Sequence, residues 1–393
     1  MLKDLEGHEV QLAYIPNRHM ILLGKSGYGK TYGANREAAH RIRDGDKIAI
    51  LDVSGSYTKE ELKRAGNVFG NHICYRRMNE DTVVFPVYSD NFSGTIIEAL
   101  IEAFEITSYN QEKILSESCE EIVEDTGVFT FMDLFGKLKE HQSECQIGED
   151  EGVPDMFKNT GYLLNKLRSV RNIDNITFVG HDGCGQKEKQ VAPVTVFQLS
   201  DLPGTQRKRL SSFLLSLLWA NARYRNNHKQ MDGFDAVLID EFQHFPLTED
   251  SSFNAILREG RKCGFSAILC TQYLNDHGKT ELSALTQAGT ILLFRPTEKE
   301  VKLVLDLFDL EEFKKWKKIL LGLNVGQAIL VGSYKLDNGR ELGKPIIVNI
   351  EDDDNGRTVQ HEEAIVISAK TFLESGSGNE QGRRGRGTVI YRR

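Results

Sequence analysis

Short apolar runs recur along the chain, separated by stretches of helical periodicity. The runs are His19–Leu23, Lys47–Leu51, Val194–Leu199, Ala236–Ile239, Ala267–Cys270, Thr290–Phe294 and Gln327–Val331. Runs of this length without polar alternation predict strands buried on both faces, hence a mainly parallel sheet with helices on either side. Helices are expected over Tyr32–Arg43, over about Gln206–Tyr224, and twice after Glu298. Residues 1–18 read as a lead-in, with a strand pair around Val10–Tyr14. Between about Gly94 and Arg171 the period becomes helical: Ile96, Ile97, Leu100, Ile101 and Phe104 fall on one stripe, continued by Ile114–Val123. Thr130 is placed to cap a helix reaching about His141, and another helix covers Asp155–Ser169. The acidic, polar stretch Gln142–Pro154 reads as a loop between them. The expected organisation is an α/β core from residues 1–93 and 172–350, an all-helical insertion at 94–171, and a C-terminal extension at 351–393. Ordinary crossover helices are the alternative for the insertion. Asn338–Gly339 predicts a hairpin turn. The Gly-, Ser- and Arg-rich end from Glu374 predicts disorder.

The first strand runs into G-K-S-G-Y-G-K-T, Gly24 to Thr31, and then into a helix. Strand, glycine loop and helix start is the context of a phosphate loop. Gly24 and Gly29 let the backbone curl so that N–H groups point at phosphate oxygens, and the helix start adds more. Gly24, Ser26, Gly27, Gly29, Lys30, Thr31 and Tyr32 form the expected nucleotide-binding set, with Lys30 on the terminal phosphates and Thr31 on Mg²⁺. Downstream, Ala236-Val-Leu-Ile239 delivers Asp240 and Glu241. The pair suits a Mg²⁺ carboxylate followed by a general base for water attack. Gln272, ending the Ala267–Cys270 strand region, is a candidate sensor of the γ-phosphate. Arg258, Arg261 and Lys262 are candidate cations reaching a neighbouring subunit's site.

Composition narrows the partners. A net charge of −8 over 393 residues excludes a generally basic nucleic-acid coat. Cys74, Cys119, Cys145, Cys184, Cys263 and Cys270 are scattered without a C-x-x-C pair, which points to reduced thiols in the cytosol. The longest apolar stretch, Phe213–Ala222, is too short to span a bilayer, and no signal peptide is visible. A cytoplasmic protein with no membrane partner is expected.

The order Gly24–Thr31, Asp52–Tyr57 (D-x-x-G-x-Y), Asp240–Phe245 (D-E-x-x-x-F), Gly260–Gly264 and Thr271–Gln272 resembles the HerA/FtsK superfamily of ring-forming motor ATPases, nearest its HerA and VirB4/VirD4-type branch. The resemblance covers roughly residues 19–335. It implies a RecA-like core, ATP with Mg²⁺, a hexamer, double-stranded DNA in a central pore, and a nuclease or other effector partner. It also implies Lys30 on phosphate, Asp240 and Glu241 as metal and water residues, Gln272 as sensor, and Arg261 as the arginine acting in trans, with Arg258 second and Arg18 a further candidate. Ser56 stands where the superfamily has an acid, and the short lead-in leaves no room for the N-terminal β-barrel of HerA proteins. Two uses of such a ring stay open, a DNA translocase and a regulatory scaffold that assembles an effector in antiviral defence; a monomeric nucleotide switch is a third. Candidate DNA-backbone cations are Arg76 and Arg77, Lys166, Arg168 and Arg171, Arg207 to Arg209, and Arg383, Arg384 and Arg386.

Overall fold

The computed structural model describes residues 2–13, 17–65, 69, 73–147, 153–183, 185, 191–228, 232–274, 282–308, 313–336 and 341–351. Strands in chain order are β1 Leu2–Lys3, β2 Glu9–Leu12, β3 Met20–Leu23, β4 Ile48–Asp52, β5 Ile73–Arg77, β6 Val83–Val87, β7 Val128–Phe129, β8 Ile176–Gly180, β9 Val194–Gln198, β10 Ala236–Ile239, β11 Ser266–Thr271, β12 Thr290–Leu293, β13 Gln327–Gly332, β14 Tyr334–Leu336, β15 Glu341–Leu342 and β16 Ile346–Ile350. The helices are α1 Lys30–Arg43, α2 Lys59–Ala65, α3 Phe92–Phe104, α4 Tyr109–Thr126, α5 Phe131–Ile147, α6 Val153–Leu167, α7 Gly204–His228, α8 Ser252–Glu259, α9 Val301–Leu307 and α10 Phe313–Gly322.

The main sheet runs β15-β14-β2-β1-β16-β13-β12-β3-β11-β10-β4-β9-β5. From β12 to β5 every neighbouring pair is parallel, and from β13 outward every pair is antiparallel. The phosphate-loop strand β3 is therefore separated from the acid-bearing strand β10 by β11. Alternation along each strand divides the core. Leu22, Ile48, Ile50, Leu238, Ile268 and Cys270 face α1, whose Ala34, Ala38 and Ala39 allow close approach. Leu23, Leu51, Ile239 and Leu269 face the opposite side, where α7 contributes Leu210, Phe213, Leu214 and Leu217.

Between β6 and β8 lie α3 to α6 and the short β7; β6, β8 and β7 form a second, three-stranded sheet. The residues Gln142–Ile147, which read as a loop, continue α5. Cys145 is buried there, while Ser143 and Glu144 before it are exposed on the outer face of the helix. Strands β5, β6 and β8 have no clear sequence signal. β5 is a sheet edge rich in polar residues, and Pro86 sits in β6, an edge strand where a missing N–H costs no ladder bond. The Asn338–Gly339 turn and the tail from Glu374 lie outside the described residues.

Aromatic packing joins the small sheet to the core. Phe178 of β8 is fully buried, with ring centroids 5.1 Å from Phe213 on α7, 5.8 Å from Phe131 on α5 and 5.9 Å from Phe85 on β6. Phe178→Ala is expected to destabilise the chain by about 3–5 kcal/mol, because three elements close on one ring and cannot collapse together. A denaturant midpoint unchanged from the parent would refute this packing.

Candidate active site

The site begins where β3 ends. Gly24 has φ +150°, and a Cβ there would lie 2.7 Å from Cβ of Phe294. Only glycine fits so close to the end of β12. The Gly24 N–H donates to the Thr271 carbonyl (3.2 Å) and the Lys25 N–H to the Arg295 carbonyl (2.8 Å), which stitches the loop to both neighbouring strand ends. Gly27 and Gly29 take left-handed conformations, φ +81° and +103°, and turn the backbone into the cradle. The first intrahelical bond of α1 is Gly33 N–H to Gly29 O (2.8 Å), and no side chain caps this helix. Its first turn, which includes Lys30 and Thr31, therefore presents backbone donors and the positive end of the helix dipole. The Lys30 side chain is nearly buried, with Nζ 3.3 Å from the Lys25 carbonyl oxygen. Burial lowers its pKa, while Cys270, Glu241 and Asp240 act in the other direction. A polyphosphate fits this cradle: uncapped donors, a buried ammonium and a glycine-lined curve are all present.

Acids gather opposite. Asp52 ends β4 and Asp240 follows β10; they are 2 % and 3 % exposed, too low for carboxylates without compensation. Asp52 Oδ1 accepts from the N–H groups of Gly55 (2.7 Å) and Ser56 (3.2 Å), so it holds its own loop. Asp240 Oδ2 accepts from the Ser54 hydroxyl (3.1 Å) and Oδ1 from the Glu241 N–H (3.1 Å). Burial, then the charges of Glu241 and Asp52, push the Asp240 pKa up to about 6, against the Ser54 hydrogen bond and Lys30. Three carboxylates against one lysine leave an excess of negative charge. Hard oxygen donors with uncompensated charge are the surroundings Mg²⁺ takes, with the rest of its shell from phosphate and water. Among the described residues no group of three or more His, Cys, Asp or Glu could hold a metal alone.

Glu241 has φ 57° and ψ 50°, a left-handed conformation rare for a non-glycine residue. Its carboxylate accepts from two amides, Gln272 Nε2 on Oε1 and Gln243 Nε2 on Oε2 (2.6 Å). A cleft of about 420 Å³ opens beside it, lined among others by Val53, Ser54, Lys208, Gln243 and Gln272.

The fold thus brings Lys30, Asp240, Glu241 and Gln272 to one end of the sheet. It does not bring Arg261 there. Arg261 is exposed in the short turn Gly260–Cys263 before β11, at the opposite end of the parallel strands. Arg258 is also exposed, 3.7 Å from Glu249, and Arg18 pairs with Asp46 at 2.8 Å. Several candidate DNA cations serve the protein itself: Arg207 donates to the Val53 carbonyl, Arg209 to Ala103, Lys166 to Glu105, and Arg77 pairs with Asp81. Arg76, Lys208 and Arg168 are exposed. Trp316 is buried with Lys314, Lys317 and Lys318 outside, as its helical spacing indicates. The sequence reading missed Ser54 and Gln243; both lie within two residues of a motif acid, the one signal that could have singled them out.

Phosphate loop, intervening strand and paired acids define a P-loop NTPase. The sequence profile of the "Helicase HerA, central domain" family matches residues 9–218. The chain belongs to that family. The DNA double-strand break repair helicase HerA of Sulfurisphaera tokodaii is 22% identical over an alignment of 352 positions that covers 85% of this chain and 65% of that protein. The chain thus spans just under two thirds of the length of that curated relative. VirB4 of Thermoanaerobacter pseudethanolicus shares the fold with a TM-score of 0.63 at 15% identity, covering 90% of this chain and 95% of its own. The bacterial conjugative coupling protein TrwBΔN70 follows at 0.56 and 14%, covering 87% and 90%. No described helix is long and apolar enough to cross a membrane.

The raised Asp240 pKa sets a pH dependence. Below about pH 4 the carboxyl is protonated in folded and unfolded chain alike. Between about 4 and 6 the unfolded chain ionises first, so stability is lost as pH rises. In the nucleotide-free protein, Asp240→Asn is expected to gain stability over the parent across that window, by up to ~3 kcal/mol, and to hold the gain above it. Denaturation at pH 4.5 and 7 checks this; an equal difference at both would show an unperturbed carboxyl.

Proposed function

We propose that the chain is a HerA-type motor ATPase that hydrolyses ATP with Mg²⁺ and moves double-stranded DNA through a hexameric ring, in the cytoplasm, for a nuclease or other effector protein. The observation that carries this is the convergence of Lys30, Asp240, Glu241 and Gln272 at the carboxyl ends of β3, β10 and β11. In this reading Gly24, Ser26, Gly27, Gly29, Lys30, Thr31 and Tyr32 surround the phosphates. Lys30 meets the charge that develops on the terminal phosphate, and Thr31 and Asp240 hold the metal. Mg²⁺, when bound, neutralises the phosphate oxygens and raises the electrophilicity of phosphorus. Glu241 orients a water in line and takes its proton. Gln272, bonded to Glu241, reports the state of the phosphate to the loop beyond β11. Arg261, exposed at the far end of the sheet from its own site, would in this reading serve the nucleotide of a neighbouring copy. The HerA relative is named for DNA double-strand break repair, which supports duplex DNA as the track.

Lys30→Ala is expected to abolish ATP binding. Glu241→Gln should bind ATP like the parent yet hydrolyse it about 10²- to 10⁴-fold more slowly, the range of a lost general base. Calorimetry and phosphate release separate the two; normal turnover by Glu241→Gln would remove the water-activating role. Mixing the inactive Arg261→Ala and Glu241→Gln chains should restore part of the activity if the arginine acts across a boundary, and none if it does not. Duplex DNA should accelerate phosphate release. Turnover indifferent to DNA but raised by a protein partner would make the ring a regulatory scaffold.

A further inference from the structure

Gln243 stands at an unspecified position of the Asp240–Phe245 motif, yet its side chain sits between two parts of the site. Its Nε2 donates to Glu241 Oε2 at 2.6 Å, and its Oε1 accepts from the Thr271 hydroxyl at 2.6 Å. Thr271 ends β11 and is fully buried; the next residue, Gln272, donates back to Glu241 Oε1. The path Glu241, Gln243, Thr271, Gln272, Glu241 closes on itself.

The proton inventory makes this closure directional. The Thr271 oxygen accepts from the Tyr273 N–H (3.2 Å) and has one proton to give. Its two acceptor neighbours are Gln243 Oε1 at 2.6 Å and the Tyr273 carbonyl at 2.9 Å. If the proton went to Tyr273, two lone pairs would face each other at 2.6 Å, so it goes to Gln243. The Glu241 carboxylate can only accept, so the amide turns its N–H to Glu241 and its oxygen to Thr271. Phe242, fully buried against Phe253, anchors the turn on which Gln243 stands. Glu241 itself is held in a left-handed backbone, whose cost such an over-determined surrounding offsets.

We propose that Gln243 is a positioning residue for Glu241, and that with Thr271 and Gln272 it forms a hydrogen-bonded ring that aims both oxygens of the water-activating carboxylate from the tip of β11. The inference rests on the role given to Glu241 above. Gln243 touches neither the phosphates nor the metal in this account. It acts by fixing one carboxylate oxygen, leaving the remaining lone pairs turned to the cleft from which water comes.

The test uses the full-length chain. Gln243→Met keeps the length and removes both hydrogen bonds. It is expected to lower kcat about 10- to 100-fold, the effect of a misplaced reacting group, with the Kd for ATP within about twofold of the parent. Thr271→Val should give a comparable loss, and Thr271→Ser, which retains the hydroxyl, should recover most of it. The double variant Gln243→Met/Thr271→Val should be no slower than the worse single, as members of one network are not additive. Turnover of Gln243→Met within about twofold of the parent, a Kd that rises in step with the fall in kcat, or fully additive losses would each overturn the proposal. Should Gln243→Met fail to fold, the contrast between Thr271→Val and Thr271→Ser decides alone: equal rates refute the ring. Glu241→Gln is measured alongside. If it turns over normally, the wider functional reading fails; if it is dead while Gln243→Met is normal, only the ring fails.

Discussion

The register of four parallel strands governs the site. Leu51 of β4 is level with Ile239 of β10, Ile239 with Leu269 of β11, and Cys270 with Leu22 of β3. Asp52, Asp240 and Cys270 therefore stand in one row across the sheet, level with Leu22 and two residues before the phosphate loop begins at Gly24. The side-chain period of a strand is two, so this row points to the α1 side, where Lys30 begins its helix. A slip of one residue in any of these pairings would send an acid into the opposite core. The apolar runs before each motif thus set the level at which the chemistry emerges, besides filling the interior. The insertion of β11 between β3 and β10 places its tip between the phosphate loop and the acids and gives it contact with both.

Electrostatics then determines what the row tolerates. Asp52 spends its charge on backbone N–H groups of the loop Ser54–Tyr57, which offsets the burial that raises its pKa. Asp240 has less support, one hydroxyl and one N–H, and faces two other carboxylates. A buried carboxylate in that position prefers a proton in water and a divalent cation when one is offered. Lys30 is under the opposite pressure, desolvated in a cradle that offers it one carbonyl. Both groups therefore lack, in the nucleotide-free protein, the opposite charge that a metal-bound polyphosphate would supply. This is the usual exchange of folding stability for binding at a functional site.

The parallel core was legible because its strands are buried on both faces and read as unbroken apolar runs, Ala236–Ile239 most clearly. The cradle was legible because glycine at positions 24, 27 and 29 reflects backbone geometry that other residues resist. What stayed hidden lacks either property. β5 carries Tyr75, Arg76 and Arg77 at an edge, where polar side chains cost nothing. The polar stretch after His141 looked like a loop because, of the residues 142–145, Cys145 is the buried one. Gln243 was invisible for another reason: an amide's role depends on which groups approach its two ends, and the Thr271 end lies 28 residues away in sequence. Arg261 was singled out on its residue type and on the Gly260–Gly264 block, and its position at the other end of the strands follows from the direction of β11, which spacing cannot give.

The strained backbone at Glu241 connects these themes. Asp240 must end β10 on the α1 face, because the register leaves it no other direction. The next residue would then point to the opposite face if the strand continued. A left-handed turn at Glu241 breaks that alternation, and the Phe242–His244 turn follows at once. The carboxylate stays at the mouth of the sheet beside Gln272 instead of entering the apolar layer that holds Ile239 and Leu269. Glycine would take this conformation at less cost but would supply no carboxylate. The strain is accordingly the geometric consequence of placing two consecutive acids at one strand end, and amides on either side of the second acid are what hold it there.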